Sequence, residues 1–206
     1  MDVNVSVQRP AFRNSRQSLG AAARREQFLQ ACWGSLGPTQ REHLTSHCQA
    51  VSDMAYRLCL AMRLPTAAAA RVRLAGLFHD IGKCVVPEEL LAKPGPLTAS
   101  QRRAVNQHAA LGGRYTLAIT GDARLAGIVE RHHHPKAGAA APRWVVLEAA
   151  IVQAADALVS MMSDRPYARA RTSREALAEL SRCAGAEFDP RVVRAAYSAK
   201  VWGRAA

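Results

Sequence analysis

Apolar and polar residues recur along most of this chain with the period of a helix, not of a strand. Within residues 39–63, Val51, Met54 and Leu58 fall at steps of three and four, so one stripe of the segment faces inward. Thr39, with Glu42 three positions on, predicts a capping box at its start. Pro65 predicts its end near Arg63. Alanine-rich residues 66–80 predict a second helix, with Gly82 just beyond as its stop. "VVPEELLAKPGPL" reads as a loop holding one helical turn, and Thr98 with Gln101 caps a helix to about Ile119. Residues 122–134 read as helical, and "PKAGAAAPR" breaks the pattern. Residues 144–162 are apolar nearly all round, which predicts a buried helix. Thr172 with Glu175 caps the next helix, and Asp189 with Pro190 opens the last. Gly20 to Gly34 reads as a further short helix, behind a polar, aperiodic tail over residues 1–20. No convincing strand and no internal repeat is found. The expectation is all-α: one domain over residues 21–206, a bundle of about seven or eight helices.

Composition supports this. Aromatics make up 5% of 206 residues while hydrophobic residues reach 49%, which suits helices packed through alanine better than a sheet core. The net charge of +12 raises nucleic acid as a partner. The arginines are scattered and not interleaved with aromatics, however, so nucleic acid is not expected as the main partner. An anionic substrate, drawn in by a positive field, fits the same charge. The five cysteines are odd in number and show no C-x-x-C spacing, so reduced, buried thiols in the cytoplasm are expected. No apolar run approaches the ~18 residues of a membrane span, and the first residues lack the apolar stretch of a signal peptide, so no membrane is expected.

The chemistry concentrates in a few polar positions. "FHDIGK", residues 78–83, sets a histidine, an aspartate and a lysine directly behind an apolar run. His47 shares the inward stripe of Val51, Met54 and Leu58, and His43 lies one turn earlier. A single histidine on such a face is more often a core residue than a ligand. Asp156 is harder to place in a core. It sits in "WVVLEAAIVQAADALVSMM", interrupted only by Glu148, Gln153, Asp156 and Ser160, with no lysine or arginine within a turn. A lone buried carboxylate costs several kcal/mol unless it is paired or binds a metal. A divalent cation with inward histidines as co-ligands meets that demand. His47, His79, Asp80, His108, His132, His133 and Asp156 then supply nitrogen and carboxylate donors from five segments. Five histidines and two aspartates are too many for one open site and suit two metals sharing a carboxylate. Such a pair, ~3.5–4 Å apart, activates water and clamps both oxygens of a phosphoester under attack. Iron, manganese, nickel and zinc all suit these donors.

These residues resemble a known family. "FHDIGK" is similar to the signature of the HD-domain metal-dependent phosphohydrolases. The order "HCQAV", "FHDIGKCVVPEELLAKPGPLT", "NQH", "HH", "AAD" and "SDRPY" resembles the HD-GYP subfamily, phosphodiesterases that hydrolyse cyclic di-GMP. The resemblance runs from about His43 to Tyr167, and more weakly to "FDPRVV" at 188–193. It implies that His47, His79, Asp80 and Asp156 hold one metal, and that Asp80 bridges to a second completed by His108, His132 and His133. It implies that Lys83 faces the phosphate, that Arg165 holds a phosphate or guanine, and that a metal-bridging hydroxide is the nucleophile.

Some positions depart from the family pattern. The family's "HHE" is His132–His133–His134 here, and its D-G-x-G-Y-P motif has become "AGAAAP", residues 137–142, with Ala141 at the tyrosine position. A glutamate four residues before the first histidine, which in some members helps to bind a third metal, is His43 here, a candidate extra ligand. Val159 replaces the family's second aspartate and Ala168 a basic residue. The expected activity is hydrolysis of cyclic di-GMP or its linear product by a stand-alone module. The alternatives are an HD phosphohydrolase for another nucleotide or phosphoester, and a non-catalytic metal-bound module that binds a cyclic dinucleotide or a protein partner.

Overall fold

A proline, not a hydroxyl, starts the first long helix. In the computed structural model, which describes residues 34, 36–135, 142–164 and 169–202, α1 spans Pro38–Ala61 behind Gly37, with Pro38 in its first turn. The capping box expected from Thr39 and Glu42 does not form. Pro38 has its φ preset for a helix and no N–H to satisfy, so the helix begins ahead of Thr39, which falls inside the first turn.

The remaining elements follow the hydrophobic pattern closely. They are α2 (Thr66–Phe78), a 3-10 turn (Ile81–Val85), the short α3 (Glu88–Leu91), α4 (Ala99–Thr120) and α5 (Ala123–Arg131). Then come α6 (Arg143–Met162), α7 (Ser173–Arg182), α8 (Pro190–Ala196) and the single turn α9 (Ala199–Trp202). No strand occurs among the described residues, and the all-α expectation stands. The boxes at Thr98/Gln101 and Thr172/Glu175 form with both reciprocal bonds, and Asp189 caps α8. The expected tail and, apart from Gly34, the expected helix over 20–34 lie outside the described residues. Two boundaries differ from expectation. α5 ends at Arg131, so His133 and His134 lie beyond it and His132 is its last, capping residue. Gly82 does not stop α2 as a left-handed cap; it lies inside the 3-10 turn.

α6 runs through the centre of the molecule. Ala149, Ile151, Val152, Ala155 and Leu158 are buried, and α1, α2, α5, α7 and α8 pack around the helix. Its 20 residues, with a mean hydropathy of 1.7, are long and apolar enough to cross a membrane by length and composition, which corrects the expectation that no run approaches that length. Two carboxylates in so alanine- and valine-rich a segment lower the mean too little to disqualify it. Here its neighbours cover it as a core helix.

Two glycines set the spacing of the elements that carry the histidines. A Cβ on Gly76 would lie 2.8 Å from the Cα of Ser52, so its absence brings α2 against α1. A Cβ on Gly82 would lie 2.0 Å from the His108 carbonyl oxygen, so its absence seats the 3-10 turn directly on α4. Cys48 and Cys59 are buried free thiols as expected. Cys84 and Cys183, also free, are only half-buried, because both stand near the ends of short elements.

Candidate metal centre

The seven donors anticipated from the sequence converge on one site. α1 contributes His47, whose stripe partners Val51 and Leu58 are fully buried. His79 caps the end of α2 and Asp80 opens the 3-10 turn. α4 contributes His108, the end of α5 contributes His132 and His133, and α6 contributes Asp156.

Asp80 lies between two groups of donors. Its Oδ2 is 3.3 Å from His79 Nε2 and 3.9 Å from His47 Nε2, while its Oδ1 is 3.2 Å from His108 Nε2. His47, His79 and Asp80 offer donor atoms within 4.8 Å of one another, and so do His108, His132 and His133. Asp156 closes the first group, with Oδ1 3.1 Å from His47 Nε2 and 4.0 Å from His79 Nε2. In the second group His108 Nε2 is 3.1 Å from His133 Nε2 and 3.4 Å from His132 Nε2. One carboxylate thus presents one oxygen to each set, because Gly82 lets its turn rest on the helix that carries His108.

The rings are oriented from behind. Nδ1 of His79, His108 and His132 each bonds the backbone carbonyl three residues earlier, at 2.7, 2.6 and 2.7 Å. That arrangement puts the proton on Nδ1 and turns the Nε2 lone pair into the site, the usual support of a metal-bound histidine. His79 Nε2 is buried and makes no hydrogen bond among the described residues. An orphaned imidazole nitrogen among carboxylates is what a cation would satisfy.

The charges show the same demand. Burial alone would raise the Asp80 carboxyl, but His79 and Lys83 hold it well below the usual carboxylate range. Burial likewise opposes ionisation of Asp156, and the hydrogen bond from His47, with His79, holds it low as well. Burial, then the neighbouring His133, His79 and His108, keep His132 neutral. Burial and His108 push His133 down to about 4. Burial works against a proton on His79, yet Asp80 draws one on and raises the ring well above its ordinary range. Two ionised carboxylates beside neutral imidazoles form a donor set that fits borderline divalent metals. A metal at the first group would supply the positive charge that the proton on His79 otherwise supplies.

Lys83 Nζ is 2.6 Å from Asp80 Oδ2. Burial would lower the ammonium, but Asp80 raises it, so Lys83 stays charged at the edge of the site. His43 is exposed and lies outside both donor groups, although it lines a groove of about 270 Å³ with His47, Ser160 and Ser163. His134 is exposed. Arg165 and residues 137–141 of the altered loop lie outside the described residues. Two polar residues of α6 emerge beside the anticipated donors. Ser160 Oγ donates to Asp156 Oδ1 at 3.1 Å, and Gln153 Nε2 donates to the His133 carbonyl at 3.1 Å. Their only signal in the sequence is their place with Asp156 as polar breaks in an apolar helix.

Comparison with known proteins places the chain in a family. The family model described as HD domain matches residues 38–192, which contain all seven donors. The chain is 32% identical over 163 residues to a cyclic di-GMP phosphodiesterase of Pseudomonas aeruginosa, covering 76% of this chain and 39% of that protein. It is 37% identical over 133 residues to a cyclic di-GMP phosphodiesterase response regulator of Xanthomonas campestris pv. campestris, covering 60% and 35%. It is 30% identical over 165 residues to 3'3'-cGAMP-specific phosphodiesterase 3 of Vibrio cholerae, covering 77% and 35%. The chain therefore spans roughly two fifths or less of the length of these relatives. With its helices, its donor set and the family match all falling on the same residues, the chain belongs to the HD domain family.

Proposed function

We propose that this chain is a metal-dependent phosphodiesterase for a cyclic dinucleotide, with cyclic di-GMP as the first substrate to test. The observation that supports it most is the bridging geometry of Asp80, with Oδ2 toward His47 and His79 and Oδ1 toward His108. His47, His79, Asp80 and Asp156 would hold one divalent metal, and Asp80, His108, His132 and His133 a second. Iron and manganese are the leading identities. Such a pair supplies an activated water and a clamp for the oxygens of the phosphoester under attack.

The chain's own groups prepare the reaction. Asp80 and Asp156 stay ionised and His132 and His133 stay neutral, so these four donors are in their binding forms at neutral pH, whereas His79 would exchange a proton for the metal. Lys83 remains protonated beside Asp80 and would stabilise charge that develops on the phosphate. Arg165 is the position that the family resemblance gives to the ligand's phosphate or guanine.

The test is turnover of cyclic di-GMP by purified protein loaded anaerobically with iron or manganese, beside a His79→Ala/Asp80→Ala control. Metal-dependent cleavage that the control lacks supports the proposal. No cleavage by protein holding two metals overturns it, leaving another phosphoester substrate or a binding module. A second reading has a specific observation behind it: relatives of this chain include 3'3'-cGAMP-specific phosphodiesterases. Cleavage of 3'3'-cGAMP in preference to cyclic di-GMP in the same assay would select it.

A further inference from the structure

Helix α6 carries three polar residues at the site, and Asp156 is only one of them. Gln153 stands three residues before it and reaches in another direction, toward the segment after α5. The donors differ in how they are held. His79, His108 and His132 each fix Nδ1 on the carbonyl three residues earlier. His133 has no such bond among the described residues and lies beyond the last turn of α5, where no helical backbone fixes it. Its peptide carbonyl instead accepts the Gln153 amide N–H at 3.1 Å.

The same side chain carries a defect. Gln153 Oε1 is buried and has no hydrogen-bond partner among the described residues. Leaving a buried acceptor unsatisfied costs stability, and an apolar side chain of the same shape would remove that cost in exchange for the bond to the carbonyl of half-buried His133. A residue kept only for packing would not be an amide here.

We infer that Gln153 is a positioning residue that tethers His133, and so sets the affinity of the second metal position without touching a metal itself. The inference rests on the binuclear reading above. Gln153 and Asp156 share one rigid helix, so α6 holds the first group through a carboxylate and the second through this tether. Without the tether, His133 must be ordered anew at each binding event, which weakens the His108–His132–His133 group alone.

The test compares the wild-type chain with Gln153→Met, which keeps the length of the side chain and removes the donor and the orphan acceptor together. Metal content per chain, release of metal to a chelator, and melting of the metal-free protein are measured on each. The wild type is expected to hold two equivalents. The variant is expected to release one of them at least tenfold faster, with the other unchanged and the metal-free melting temperature equal or higher. The ligand-field spectrum of the second equivalent of added Co²⁺ should change, and that of the first should not. Two equivalents released at wild-type rates would overturn the inference, as would a lowered melting temperature with metal release unchanged, the mark of a packing role. A wild-type chain that holds fewer than two equivalents would instead overturn the binuclear reading, and this inference with it.

Discussion

Glu148 and Asp156 sit two turns apart on the same apolar helix, and both are carboxylates in the core. Their surroundings differ in one respect. Glu148 meets the Arg71 guanidinium in a two-pronged pair at 2.6 and 2.9 Å, and Arg71 lies over the ring of Trp144. The hydrogen bonds that Arg71 donates to Glu148 hold its guanidinium above its ordinary pKa. Asp156 meets imidazoles and a hydroxyl instead, with no guanidinium in contact among the described residues. One carboxylate is neutralised within the protein, while the other joins a cluster that still calls for positive charge. Burial alone does not mark a functional acid; the identity of its partner does.

Exchanging the two roles by mutation gives the largest expected effect. Asp156→Ala should lower metal-loaded phosphodiesterase turnover roughly a thousandfold, about 4 kcal/mol of transition-state stabilisation. Glu148→Gln should leave turnover per folded molecule within about a factor of two. Steady-state assays normalised to folded, metal-loaded protein check both, and equal losses would erase the distinction. Lys83→Ala should fall between them. A loss of about a hundredfold in kcat, with metal content unchanged, is the size expected for one donor aimed at developing charge.

Stability should rank the two carboxylates the other way. Breaking a buried ion pair from one side costs about 3–5 kcal/mol. Arg71 keeps 17% of its side chain exposed, so the lower end, about 3 kcal/mol, is expected for Glu148→Gln. In a chain of this size that is roughly 6–12 °C in melting temperature. Asp156→Ala in the metal-free chain should cost less, because removing it relieves its desolvation. Calorimetry on metal-free protein would decide; a larger drop for Asp156→Ala would reverse the assignment.

Metal removal tests the same contrast without mutation. At a free metal concentration one hundred times its Kd, binding should stabilise the native state by about 2.7 kcal/mol per site. Chelation should therefore lower the melting temperature of the wild type and of Glu148→Gln by similar amounts, and that of Asp156→Ala by much less. A chelator-insensitive wild type would mean that the histidine cluster is held together by its own protons.

Much of this was legible in the sequence, for reasons that can be named. His47 was placed by the helical period it shares with Val51 and Leu58, and that period carries over directly into three dimensions. Asp156 stood out because its helix is apolar all round. Glu148 interrupts the same helix, and its partner lies 77 residues away in sequence, where no local pattern can show it. The two capping boxes that form are local events, whereas Thr39 lost its capping role because the helix begins one position earlier, at Pro38 behind Gly37. The convergence of the second group was legible only through family resemblance. His132 and His133 owe their places to the end of α5 at Arg131 and to Gln153 on another helix.

Gly82 connects the two groups, and its expected effect on metal binding is confined to one position. Its missing Cβ lets the His108 carbonyl approach, and through it sets the distance from Asp80 Oδ1 to His108 Nε2 at 3.2 Å. Gly82→Ala forces the 3-10 turn away from α4; the atoms met are backbone, so the overpacking cost is at least about 3 kcal/mol, the top of the usual range. The displacement moves one oxygen of Asp80 away from the second group, while His47, His79 and Asp156 keep their own spacing on α1, α2 and α6. The expected outcome is a chain that still folds and binds one equivalent of metal as before but holds the second more weakly. Metal titration followed by calorimetry measures both steps. Equal weakening of the two would mean that the turn moves with His79 as one body, and that Asp80 belongs to the first group alone.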